Sequence, residues 1–330
     1  DSATESFTVQ VIANGETATA DAVFSITGTD DAAVVSGDTT GAVTEGDAGD
    51  TATATGTLSI SDVDAEDSPS FADVQSTAGV NGFGSFELTN GTWTYTLDQS
   101  SVQDLDAGDT VDDTTTFTAT DGTTQQVAVT ITGTDDVPTI EAGTPSATLV
   151  EAGGVDNGTA GTASSTISLS IDDVDDEDTA VFDETYLADN GWSETSSGSG
   201  VYEKAGAYGK AALTLATGDV VYTLDDAKAA TQALDSGDSA TESFTVQVIA
   251  NGETATADAV FSITGTDDAA VVSGDTTGAV TEGDAGDTAT ATGTLSISDV
   301  DAGDSPSFEN VTSTAGVNGF GSFELTNGTW

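Results

Sequence analysis

Residues 1–93 recur as 238–330, and the two copies differ only at Glu66/Gly303, Ala72/Glu309, Asp73/Asn310 and Gln75/Thr312. A chain that restates itself at this length has to fold as an array, because each copy must reach the same structure on its own. A shorter phrase, ITGTDD, sets the finer spacing: it stands at 26–31, 131–136 and 263–268, at intervals of 105 and 132 residues. Two unit types therefore alternate. The expected boundaries are 1–30 for the closing part of a long-type unit and 31–135 for a complete short-type unit. A complete long-type unit follows at 136–267, and 268–330 is the opening part of another short-type unit. Both ends fall inside a unit, so the expectation is a window on a longer repetitive protein.

Within a unit the apolar pattern has period two. Val127, Val129 and Ile131 alternate with polar residues before the middle ITGTDD, as in a half-buried strand. Asn14-Gly15 and Asn90-Gly91 each separate two such runs, a strong hairpin signal. The second hairpin puts Trp93 and Tyr95 on one face. Reading the short unit through gives strands near 32–36, 43–45, 51–60, 83–89, 92–98, 115–122 and 125–132, with LDAGDTVDD as a crossing loop and no helical period. The expected fold is all-β, a series of immunoglobulin-like sandwiches joined end to end into a rod. The long unit follows the same scheme, with its excess concentrated at 183–208. Gly and Ser there predict a surface loop whose removal spares the fold, with Trp192 and Tyr202 pinning it or forming a contact patch.

Composition narrows function. There are 58 Asp plus Glu against three Lys, a net charge of −55, and no His, Cys or Met. That balance excludes nucleic acid and anionic membrane surfaces as partners, since both require basic patches. No apolar run reaches the length of a membrane-spanning helix, so direct membrane insertion is not expected. Without Cys there are no disulfides or thiolate sites, and without His the usual general base and transition-metal ligand are missing.

The acids are placed rather than scattered. Asp-Val-Asp with a third Asp three residues on occurs as Asp62/Asp64/Asp67, Asp173/Asp175/Asp178 and Asp299/Asp301/Asp304. Each set follows a strand, and each ITGTDD ends in an Asp pair: Asp30/Asp31, Asp135/Asp136 and Asp267/Asp268. Carboxylates gathered at a strand end repel unless something neutralises them. An all-oxygen ligand set favours a hard cation, and flexible geometry favours Ca2+. The alternative is a solvated acidic loop. Strand directions bring Glu45 and Asp98, or Glu151 and Asp225, toward the linker pair and the next Asp-Val-Asp.

The order LSIxDVD, GxWxYTLD, LDxGD, TDG and ITGTDD resembles the VCBS-type repeat of giant bacterial adhesins, and more distantly the cadherin repeat. The resemblance covers nearly the whole chain. It implies Greek-key cadherin-like sandwiches, calcium-rigidified, in the extender region of a type I-secreted adhesin. By that resemblance Glu45 is the basal Glu, Asp98 follows Leu97, Asp62/Asp64 form the Asp-x-Asp, and Asp135/Asp136 form the linker before Pro138. Linker Asn is replaced by Asp here, and only one linker carries Pro. The implied protein is a non-enzymatic, extracellular spacer for cell adhesion or biofilm, with neighbouring repeats as partners and a cell surface, glycan or matrix as target. A self-assembling matrix or surface-layer filament and a glycan-binding module are the alternatives. A glycosidase with paired carboxylates would need a cleft, whereas these acids stand at unit ends.

Overall fold

The computed structural model describes residues 2–47 and 49–330. Its regular structure is nearly all β, in several sheets, and it falls into two compact units: Asp1–Asp136 with Val174–Glu177, and Val137–Asp173 with Asp178–Trp330.

The first unit opens with a hairpin of β1 (Ser2–Ala13) and β2 (Glu16–Thr27). Asn14 and Gly15, at φ 50° and 85°, make the turn that suits strand twist. After it come β3 (Val34–Gly37), β4 (Thr40–Thr44), β5 (Thr53–Ser61), β6 (Val74–Ala78), β7 (Gly84–Thr89), β8 (Thr92–Leu97), β9 (Thr110–Thr118) and β10 (Thr124–Thr132). They form two sheets, ordered β3-β5-β8-β7-β6 and β4-β10-β9. The first two strands of the short unit go to different sheets: β3 pairs antiparallel with β5, and β4 crosses to pair parallel with β10. Phe86, Leu88, Trp93 and Tyr95 from one sheet meet Phe117, Val127, Val129 and Ile131 from the other, all at most 2% exposed. The Trp93 indole N–H donates to Asp38 O at 2.7 Å. A Cβ at Gly56 would lie 2.5 Å from the Trp93 ring, which is why the Thr-Ala run breaks at glycine. β6 is an edge strand absent from the sequence reading; a register shift between Val74 and Thr77 destroys its alternation.

The second unit contains β11 (Thr139–Ala142), β12 (Leu149–Val150), β13 (Ser164–Asp172), β14 (Val181–Phe182), α1 (Glu184–Asp189), β15 (Ser193–Glu194), β16 (Val201–Ala205), β17 (Gly209–Thr214), β18 (Asp219–Leu224), β19 (Ser239–Ala250) and β20 (Glu253–Thr264). One sheet runs β11-β13-β18-β17-β16-β15 and the other β12-β20-β19-β14. The parallel step of β4 on β10 is repeated by β12 on β20, with Leu149 opposite Ile263. Phe244 and Phe261 pack against Tyr222 with ring centroids 5.6 and 5.2 Å away.

The predicted surface loop at 183–208 is not one. Asp183 caps α1 by accepting from the N–H of Thr185 and Tyr186, and Leu187, Trp192 and Tyr202 are at most 7% exposed within the core. β16 pairs with β17 as β6 pairs with β7, so only the stretch before it is extra. Trp192 meets the edge of Phe244 at 6.0 Å, and burial of that ring outweighs the loop-forming bias of the Gly and Ser around it.

The second unit continues into β21 (Val271–Gly274), β22 (Leu295–Ser298), β23 (Val311–Ala315) and β24 (Ser322–Leu325). β21 pairs with β22, and β23 with β24.

Candidate metal centre

The site begins with the glycine of ITGTDD. A Cβ at Gly265 would sit 2.4 Å from Leu234 O, and one at Gly133 would sit 2.5 Å from Leu105 O. Gly265 N–H donates to Asp238 O at 3.1 Å, and Gly133 N–H to Asp109 O at 2.9 Å. The end of the last strand thereby lies flat on the LDxGD loop, and the following Asp pair emerges beside that loop's first Asp.

The buried glutamate fixes the other side. Glu151 N–H donates to Thr264 O at 3.0 Å, and its Oε2 accepts from Thr266 N–H at 3.3 Å. Glu45 repeats this on Thr132 and Thr134, at 2.9 and 3.4 Å. Glu151 is fully buried and Glu45 is 5% exposed. Burial pushes both carboxyls up to about 7. Asp268, Asp301 and Asp226 add to the effect at Glu151, and Asp136 and Asp175 add to it at Glu45.

The Asp-Val-Asp turn completes the second unit's cluster. Asp268 N–H donates to Asp301 Oδ2 at 2.7 Å, Asp301 N–H to Asp299 Oδ1 at 3.1 Å, and Asp304 N–H to Asp301 O at 3.3 Å. Carboxylate oxygens of Asp235, Asp267 and Asp301 lie within 4.8 Å of one another, as do those of Asp299, Asp301 and Asp304. Asp301 belongs to both triads. Both oxygens of Asp268 and Oδ1 of Asp301 are buried with no hydrogen-bond donor among the described residues. Burial, then neighbouring aspartates, raises the carboxyls of Asp268, Asp301 and Asp304; only at Asp301 does a hydrogen bond, from Asp268 N–H, work against this. The lysines act elsewhere: Lys210 pairs with Glu203, Lys228 donates to Gly206 O and Lys204 lies over Trp192. Oxygen-only donors, buried without proton partners, fit a hard divalent cation.

The first unit repeats the turn. Asp31 N–H donates to Asp64 Oδ2 at 2.7 Å, and Asp64 N–H to Asp62 Oδ1 at 2.8 Å. Asp30, Asp64 and Asp67 form a triad within 4.8 Å. Asp30 and Asp67, with Asp31 and Asp62, line an open cavity of about 460 Å³. Asp136 N–H donates to Asp175 Oδ2 at 2.7 Å, and Asp135 Oδ1 accepts from Ala107 N–H at 2.9 Å. Asp173 and Asp178 belong to the second unit, on either side of Val174–Glu177.

Two expected residues stand outside these clusters. Asp98 turns back to accept from Ser100 N–H and Oγ at 3.2 and 2.7 Å, capping the 3-10 turn Gln99–Ser101. Asp225 likewise accepts from Ala227 N–H at 3.0 Å. The next residue in each case reaches the glutamate loop: Gln99 accepts from Gly46 N–H and Asp226 from Ala152 N–H, both at 3.3 Å. An acid after a strand serves its own turn first, and the residue beyond it points inward. Asp235 was missed as a ligand candidate, as was its counterpart Asp106, although LDxGD recurs in both units and carried the signal.

No family model and no curated protein matches the chain. Solved structures do. Protocadherin gamma B2 extracellular cadherin domains 1–5 match at 14% identity and a TM-score of 0.40, over 99% of this chain and 58% of that one. The protocadherin gamma B4 extracellular domain matches at 15% and 0.38, over 96% and 46%. Domains 4–9 of the surface layer protein SbsC match at 14% and 0.20, over 83% and 37%. The chain spans about half the length of these two protocadherin structures. The solved structures similar to this all-β chain include tandem extracellular cadherin domains.

Proposed function

We infer that the chain is a calcium-stiffened spacer of an extracellular bacterial adhesin or fibre, in the manner of the VCBS-type repeat. Its units are 31–135 and 136–267, with 1–30 and 268–330 as parts of flanking ones. The observation that carries this is Asp301. It bonds the linker at Asp268 N–H and belongs to both carboxylate triads, so an ion held there ties a closing strand to the unit that follows. Asp235, Asp267, Asp268, Asp299, Asp301 and Asp304 would hold the cation, with Glu151 and Asp226 behind them. The cation supplies the positive charge that this chain's own residues lack.

Other readings have less support. A glycan-binding module would need Trp192 and Tyr202 exposed on one face, but both are buried. Enzyme chemistry finds no support in carboxylates that stand at strand ends and linkers instead of across a cleft.

Small-angle scattering tests the reading. The maximum dimension should be larger and more sharply defined in millimolar calcium than in chelator. An identical profile in both conditions overturns calcium stiffening.

A further inference from the structure

The buried glutamates are each held by a residue that the carboxylate clusters do not contain. The LDxGD loop extends backward to a glutamine in both units, giving Q-x-L-D-x-G-D at 103–109 and at 232–238. Its leucine anchors the turn: Leu234 is 9% exposed, and Leu105 packs against the first unit's core. Leu105 N–H donates to Val102 O and Leu234 N–H to Thr231 O, both at 3.1 Å. One anchored turn therefore aims two side chains, the glutamine and the aspartate three residues on.

Gln103 Nε2 donates to Glu45 Oε1 at 2.8 Å and to Gly46 O at 3.0 Å. A carboxylate and a carbonyl only accept, so the amide nitrogen has to face them. Gln232 Nε2 donates to Glu151 Oε1 at 3.4 Å and to Asn157 Oδ1 at 3.2 Å. The second acceptor differs in kind: a backbone carbonyl in one unit, and in the other a side chain of the 3-10 turn Val155–Asn157. The first acceptor is the same glutamate oxygen in both. The other oxygen accepts from Thr134 N–H or Thr266 N–H. Each oxygen thus has one donor and keeps a lone pair for a cation.

We propose that Gln103 and Gln232 are positioning residues for cation binding, an inference that rests on the calcium reading above. Each holds the buried glutamate by one oxygen and ties it to the turn that carries Asp106 or Asp235. A neutral amide suits this role better than a lysine. An ammonium beside Glu151 would neutralise it and compete with the cation, whereas an amide orients the carboxylate and leaves its charge. Removing an outer partner of this kind weakens metal binding by about 10–100-fold.

Gln232→Met, Gln103→Met and Gln232→Lys in the 330-residue chain test this, each checked for folding by circular dichroism in chelator. In calorimetric titration with calcium chloride, Gln232→Met should weaken the ions around Asp301 by about tenfold or more and leave the rest unchanged. Gln103→Met should weaken those around Asp136 instead. Gln232→Lys should melt above the parent in chelator yet bind calcium more weakly, whereas a side chain that only fills space would move both in one direction. Independently of calcium, proton exchange read by NMR in chelator should be slower for the side-chain amides of Gln103 and Gln232 than for that of the exposed Gln75. Methionine variants that bind calcium as tightly as a calcium-binding parent overturn this proposal alone. So do side-chain amides that exchange as fast as that of Gln75, or a lysine variant with raised calcium affinity. A parent that takes up no calcium overturns the calcium reading and this proposal with it.

Discussion

Asp268 gives its backbone N–H to the carboxylate of Asp301 at 2.7 Å, and the same bond joins Asp31 to Asp64 and Asp136 to Asp175 at the same length. Three copies of one bond orient the second linker aspartate against the middle acid of the following turn. Replacing Asp301 by Asn keeps an oxygen for that bond and removes the charge shared by two triads. With calcium ten-fold to a hundred-fold above its dissociation constant, each lost ion lowers stability by about 1.4–2.7 kcal/mol. Calorimetric melting should show a smaller calcium-induced rise for the variant. In chelator the variant should melt no lower than the parent, because a buried repulsion is gone.

Glu45 and Glu151 give a pH signature in the absence of calcium. Their carboxyls rise from an ordinary 4.5 to about 7 in the folded chain. Between those values the folded chain holds protons that the unfolded chain has released, so stability falls as pH rises through the window. Above about 7 the loss is complete. Melting in chelator should therefore drop from pH 6 to pH 8, where ordinary carboxylates no longer titrate. A melting temperature that rises over that interval contradicts the burial of these two acids.

Gly265 is held 2.4 Å from a backbone carbonyl at the position a Cβ would take. Gly265→Ala must push the linker off the LDxGD loop, at about 1–3 kcal/mol by analogy with overpacked cores. It should also weaken calcium binding by separating Asp267 from Asp235. Gly252→Ala, at a turn with open space beside it and φ of 107°, should cost backbone strain without changing calcium affinity.

Trp192→Ala should destabilise the long unit by about 3–5 kcal/mol, as for other buried aromatics. Deleting 190–206 should unfold that unit, since it removes Trp192, Tyr202 and strand β16. Circular dichroism melting of each variant decides this. A deletion variant that melts like the parent would return the segment to the surface loop its composition suggests.

The hairpins, the alternating strands and the repeated acids were all legible, because each rests on a local rule: turn chemistry, period two, or charge at a strand end. What escaped depended on neighbours. β6 carries no period because of its register shift. Asp113 looked like part of a crossing loop, yet it is fully buried in β9. Its carboxylate accepts from Tyr95 OH and from the N–H of Asn81 and Gly84 at 3.3, 3.0 and 3.1 Å. A polar residue with that many donors is a core residue, but the donors come from 18–32 residues away. Asp98 and Asp225 were legible as acids near the glutamates, but which of two adjacent residues points inward is set by the turn that each one caps.

Cations held by the clusters around Asp301 and its counterparts are read most directly by calcium titration in an isothermal calorimeter. Binding should be saturable, with several ions per chain, in the range of about 10⁻⁴–10⁻³ M typical of extracellular modules. Asp301→Asn should remove part of the signal and leave the ions of the first unit in place. A titration that shows only heat of dilution up to about ten times that range would contradict cation binding at these clusters.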